Sequence, residues 1–144
     1  MNWEDLEHSN PHLAAFGLQR LAGNVAYIAT VRKDGSPRVH PVTPIIGQGR
    51  LFIFMEPTSP KGHDLRRDGR YALHCAVSDN SGESGEFIVT GRGQLVDDPA
   101  TRALAAQLSS YEPAERYILF ELSVESASST RYENNKPVRE HWPK

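Results

Sequence analysis

With 144 residues, a net charge of -2 and 38% hydrophobic content, the chain is long enough for one self-supporting domain over residues 1–144 and offers no general attraction to nucleic acid or anionic membranes. Its one cysteine, Cys75, excludes an intramolecular disulfide, and no CxxC or HExxH spacing marks a metal site, so a reducing cytoplasm is the expected compartment. The start, MNWEDLEHSN, is acidic where a secretion signal needs a basic and then an apolar run, and no window reaches the ~18–20 apolar residues that span a bilayer.

The spacing of Leu13, Ala14, Phe16, Leu18, Leu21 and Ala22 predicts a short helix over His12–Ala22, stopped by Gly23. VAYIATV, from Val25 to Val31, reads as a strand, and Lys33-Asp34-Gly35-Ser36 turns it into a second extended run. That run, Arg38 to Ile46, carries Pro41 and Pro44, which cannot donate ladder hydrogen bonds, so it belongs at an edge or at a bulge. After a turn at Gly47-Gln48-Gly49-Arg50, the segment LFIFM is apolar on both faces, as a doubly buried strand is, and one of those faces is placed to line a pocket.

SPKGHDLRRD, from Ser59 to Asp68, predicts a helix with Ser59 as cap and Pro60 at the first position. Lys61 then falls in the first turn, where the helix dipole prefers anions. Either it is a solvated surface lysine or an anion such as a phosphate binds between the ammonium and the free amides. Tyr71 to Val77 returns as a strand, SDNSGESG is a polar loop, and Phe87 to Val96 is a long strand bent at Gly91 and Gly93. Asp98 and Pro99 open a helix through Leu108, a second short helical piece is expected after Tyr111, and Tyr117 to Val124 is the last clear strand. The tail after Thr130 has weak periodicity but ends in Trp142, which is expected to dock, on a partner subunit or elsewhere. Five or six strands joined by hairpins predict a mainly β fold with capping helices, an antiparallel β-barrel.

Five features in order carry a family resemblance: Asp34-Gly35-Ser36-Pro37-Arg38, His40-Pro41-Val42-Thr43-Pro44, the LFIFM strand, Ser59-Pro60-Lys61 with Asp64-Leu65-Arg66-Arg67-Asp68, and GEFIVTGRG. Over about Val25 to Val124 the chain resembles the pyridoxamine 5'-phosphate oxidase-like flavin-binding split-barrel family. The resemblance implies an antiparallel split β-barrel and a homodimer with two cofactor sites at its interface. It implies FMN as cofactor, with the deazaflavin F420 as the alternative, and hydride transfer through the flavin to or from a small organic substrate. In that picture Lys61, Thr58 and Ser59 hold the cofactor phosphate. Arg38, Val39, His40 and Pro41 run along the ring or ribityl chain, and Ile53, Phe54 and Met55 form the neighbouring strand.

The segment after Thr130 has no clear counterpart to the terminal segment with which true pyridoxamine phosphate oxidases hold their substrate, which points away from vitamin B6 chemistry. No catalytic acid, base or nucleophile stands out. For Arg38 a cross-strand charge is the alternative to a ligand role. For His40 it is a structural hydrogen bond, and for Arg66 and Arg67 a solvated helix face as against the acidic tail of F420. His74 reads as a core or interface histidine, Cys75 as a small buried hydrophobe, and Tyr132 with Trp142 as interface residues. A non-catalytic flavin or haem carrier is the reading from another functional class.

Overall fold

The computed structural model describes residues 1–144 and contains four helices and nine strands. Two helices open the chain, α1 (Trp3–Ser9) and α2 (Pro11–Leu21). Strands β1 (Ala26–Val31), β2 (Pro37–Val42), β3 (Ile45–Gly47) and β4 (Arg50–Met55) follow, then α3 (Pro60–Arg67), β5 (Arg70–Cys75) and β6 (Glu86–Val96). Helix α4 (Pro99–Leu108) precedes β7 (Ile118–Leu122), β8 (Ser126–Glu133) and β9 (Lys136–Trp142). No helix is long and apolar enough to cross a membrane.

All strand pairs are antiparallel, and the main order is β2-β1-β5-β6-β7-β4-β3. The long β6 belongs to both halves of the barrel. Its first part, Glu86 to Thr90, pairs with β8, and its last part, Gly93 to Val96, pairs with β7. The bend between them is possible because Gly91 has no side chain: a Cβ there would lie 2.1 Å from the Ser123 carbonyl oxygen. Tyr71 Oη donates to the same carbonyl at 2.6 Å, which ties β5 to the crossover.

The interior is filled by Ile28, Ile53, Leu73, Phe87, Phe120 and Leu122 from the strands, with Trp3, Leu6, Leu13 and Leu21 of the first two helices plugging one end. A smaller cluster of Ile45, Phe52, Phe54 and Leu119 lies under Ala105 of α4. Full burial of each such side chain contributes about 1.5–3 kcal/mol.

Helix α1 has no counterpart among the predicted elements, because its acidic surface hides its two anchoring residues. Asn2 and Asp5 form a reciprocal capping box, and Trp3 and Leu6 are wholly buried. The expected strand from Arg38 to Ile46 is two strands broken at Thr43-Pro44, as a proline without an N–H dictates. No helix follows Tyr111, where the chain runs irregularly to β7. The tail is a hairpin, β8–β9, turned by Asn134 and Asn135 with φ of 51° and 63°. Its Trp142 packs into the chain's own core at 7% exposure, so its anchorage is intramolecular.

Candidate functional site

The barrel is open between its terminal strands. β2 pairs only with β1, and the β3–β4 ladder ends at Ile45 opposite Phe52. On that side Ile53, Phe54 and Met55 carry no strand partner. Two backbone edges therefore flank one cleft, offering amides and carbonyls to a ligand between them. A pocket of about 350 Å³ lies there, lined by Pro41, Val42 and Thr43 on one side, Phe54, Met55 and Glu56 on the other, with Lys61, Tyr111 and Tyr117 at its margins.

Lys61 is positioned by the start of α3. Ser59 caps the helix by accepting from the Gly62 amide at 3.3 Å, and Pro60 occupies the first turn. Gly62 keeps the turn tight, since a Cβ there would lie 2.9 Å from Ser59 Oγ and 3.1 Å from Met55 Sδ. The Lys61 ammonium is half-buried and has no carboxylate partner, so burial pushes its pKa down. Glu56, the one carboxylate in the pocket, is occupied by Arg116, whose Nε donates to it at 3.0 Å. A half-buried cation without a counter-ion, at a helix N-terminus whose amides other than that of Lys61 are taken up by the cap, has the chemistry of an anion site.

Strand alternation divides the predicted β2 residues. Arg38 and His40 are partly buried, whereas Val39 and Pro41 are exposed. Burial, then Lys61, then Arg38 push the His40 pKa down, with Asp64 opposing, so His40, Lys61 and Arg38 share one electrostatic neighbourhood. Neutral His40 can donate from one ring nitrogen and accept at the other. On β4, Phe54 and Met55 reach the pocket, but Ile53 is wholly buried in the main core and can offer only its main chain. Thr58 is exposed just before the cap.

Arg66 and Arg67 are not brought together. Arg67 donates to the Val31 carbonyl at 2.6 Å and to Asp64 at 3.1 Å, whereas Arg66 lines a separate hollow with Arg92 and Gln94. His74 bonds locally through Nδ1 to the Cys75 carbonyl at 2.6 Å, and buried Cys75 accepts from the Phe87 amide at 3.2 Å. Sequence reasoning missed Tyr111 and Tyr117, which enter the site from an irregular segment with no periodicity to flag them. It also gave no role to Asp64, quoted there only within the helix motif that carries the resemblance.

The helix cap, the unpaired lysine and the two open strand edges fit a planar, phosphate-bearing cofactor: the edges and Phe54 suit a ring, and Lys61 an anion. The comparisons with known proteins agree with the fold. A heme binding protein from Mycobacterium smegmatis superposes with a TM-score of 0.68 at 16% identity, over 88% of this chain and 55% of its own, so this chain spans about half that protein's length. A NimC/NimA family protein from Clostridium acetobutylicum gives a TM-score of 0.67 at 16% identity, with 96% of each chain covered. An F420 reductase gives 0.59 at 18% identity, over 76% of this chain and 94% of its own. Among curated proteins none matches. The family model for pyridoxamine 5'-phosphate oxidase matches residues 15–131, from within α2 to within β8, which takes in every strand of the open cleft; the chain belongs to that family.

Proposed function

We propose that the protein is an FMN-binding oxidoreductase that works as a homodimer on a small organic substrate. The observation that carries this reading is Lys61: a half-buried cation without a counter-ion, at the free end of a capped helix, beside a cleft edged by unpaired backbone. Bound FMN would supply hydride transfer at its N5 position. The chain's part is to hold the phosphate with Lys61, Ser59 and Thr58, to present the β2 and β4 edges to the ring and ribityl chain, and to wall off water with Phe54 and Met55. Neutral His40 stands ready to hydrogen-bond the cofactor or to shuttle a proton beside it.

Dimerisation has its own support. The outer surface of β2, β1 and β5 sets Tyr27 opposite Pro41, and Ala29 between Val39 and Ala72, with Val39 63% and Tyr27 44% exposed. This largely apolar face, with His74 the polar residue opposite Tyr27 on β5, lies beside the cleft and suits a second copy of the chain, which would close the open side of each site.

The test is a parallel fluorescence titration of the apo-protein with FMN, riboflavin and F420. Tighter binding of FMN than of riboflavin is expected, because only FMN carries the phosphate. Equal affinity for the two would refute the phosphate assignment, and preference for F420 would transfer the protein to deazaflavin chemistry.

A further inference from the structure

Asp64 enters the site described so far only through its charge near His40, yet its side chain is only 3% exposed and lies in α3 one turn beyond Lys61. Three donors converge on this carboxylate: Thr30 Oγ1 at 2.8 Å, Arg38 Nε at 2.8 Å and Arg67 Nη2 at 3.1 Å. Burial pushes its pKa up, but the hydrogen bonds from Arg38, Thr30 and Arg67 outweigh that and hold it below the usual carboxylate range. It is therefore a fixed negative charge.

The geometry at Arg38 is specific. Only Nε is used on Asp64, and neither terminal nitrogen hydrogen-bonds to the protein. Arg67, by contrast, uses its Nη2 on both the Val31 carbonyl and Asp64. A free arginine samples many rotamers and loses that freedom when it grips a ligand, whereas one already pinned at Nε has lost it in the empty protein. The local charge is also suited to a phosphate monoester. Arg32, Lys33, Arg38 and Arg67 line one hollow beside α3 against only two carboxylates, Asp34 and Asp64, while the ester carries roughly -1.5 to -2 at neutral pH.

We propose that Asp64, itself held by Thr30 and Arg67, is a positioning residue that pins Arg38 through Nε and leaves its two terminal nitrogens for the same cofactor phosphate that Lys61 binds. This inference rests on the phosphate reading above and extends it from the α3 terminus to the β1–β2 hairpin.

The experiment measures dissociation constants for FMN and riboflavin, with melting temperatures, for the wild type, Asp64→Asn, Arg38→Gln, the double variant and Thr30→Val. Asp64→Asn should weaken FMN about tenfold while leaving riboflavin unchanged, and add nothing once Arg38 is replaced. Thr30→Val, which removes one of the three donors without changing shape much, should weaken FMN about threefold with riboflavin again unchanged. Equal weakening of both flavins, no weakening, or a full Asp64→Asn effect on the Arg38→Gln background would overturn the proposal. If Asp64→Asn does not fold, Thr30→Val decides, and an unchanged FMN-to-riboflavin ratio there overturns it. A wild type that does not prefer FMN to riboflavin brings down the phosphate reading and this inference together. A preference abolished by Lys61→Ala but untouched by Asp64→Asn removes this inference alone.

Discussion

Replacing Lys61 with alanine should separate ligand binding from folding. The ammonium is half-buried, has no carboxylate partner, and is disfavoured by its burial. Loss of one hydrogen bond to a charged group costs about 1.5–3 kcal/mol, or about 10- to 150-fold in affinity. The cleft is open to solvent, so the lower part of that range applies: FMN affinity should fall about 10- to 30-fold, with riboflavin affinity unchanged. The empty protein should melt at the same temperature or higher, because no ion pair is lost and an uncompensated charge is removed. The alkaline limb gives a second signature. Since the folded-state pKa is lowered, the unfolded chain binds more protons between that value and the ordinary lysine value, and wild-type stability rises with pH through this window. The variant should lack that rise. Flavin fluorescence titration and thermal denaturation between neutral and alkaline pH measure both effects. Unchanged FMN affinity, or a melting temperature several degrees lower with FMN affinity intact, would show that Lys61 serves the fold instead of an anion.

Three further perturbations test the architecture around the site. Gly17→Ala in α2 would set a Cβ 2.5 Å from Phe87 Cζ, so despite the better helix propensity of alanine it should cost about 1–3 kcal/mol in urea unfolding, and a neutral result would refute the close packing. Trp142→Ala should destabilise the chain itself by about 3–5 kcal/mol; an effect confined to dimer dissociation would return Trp142 to a partner interface. Asp64 has a folded-state pKa below its unfolded one, so its stabilisation is complete above the unfolded value and is lost as pH falls through the folded value. Denaturation of the wild type and Asp64→Asn should therefore show a stability gap at neutral pH that closes in acid below about pH 4, and a gap constant with pH would contradict the charged hydrogen-bond cluster.

Local signals carried most of the fold. The β-branched run from Val25, the Asp34-Gly35 turn, the Ser59-Pro60 cap and the Asp98-Pro99 cap each sit within a residue or two of the observed element, because each is decided by neighbours along the chain. The failures come from elements stabilised at long range. α1 is short and polar on average, and the burial of Trp3, edge-on to Phe87 at 6.1 Å, together with that of Leu6, makes it a helix worth forming. β8 and β9 have serines and charged residues where a strand signal needs apolar alternation. They persist because β6 supplies a ladder for β8, and because Ala127 and Trp142 meet in the core.

The site divides in the same way. Lys61 was legible because a first-turn lysine contradicts the helix dipole, and that conflict is visible in three adjacent residues. From its own residues the run from Arg38 to Pro41 was legible only as a strand, and the resemblance alone set it along the cofactor. Which of its residues face α3 depends on β2 lying at the sheet edge with Arg38 and His40 turned inward, a fact of pairing register. Asp64 was illegible because its partners, Thr30, Arg38 and Arg67, come from two strands and a helix, and nothing in KGHDLRR distinguishes a buried carboxylate from a solvated one. The cleft is thus built from a local signal, the capped helix, aimed by a non-local one, the unpaired strand edges. Substitutions at Lys61 should change whether a phosphate is bound, and substitutions at Asp64 and Thr30 should change how well Arg38 is aligned to meet it.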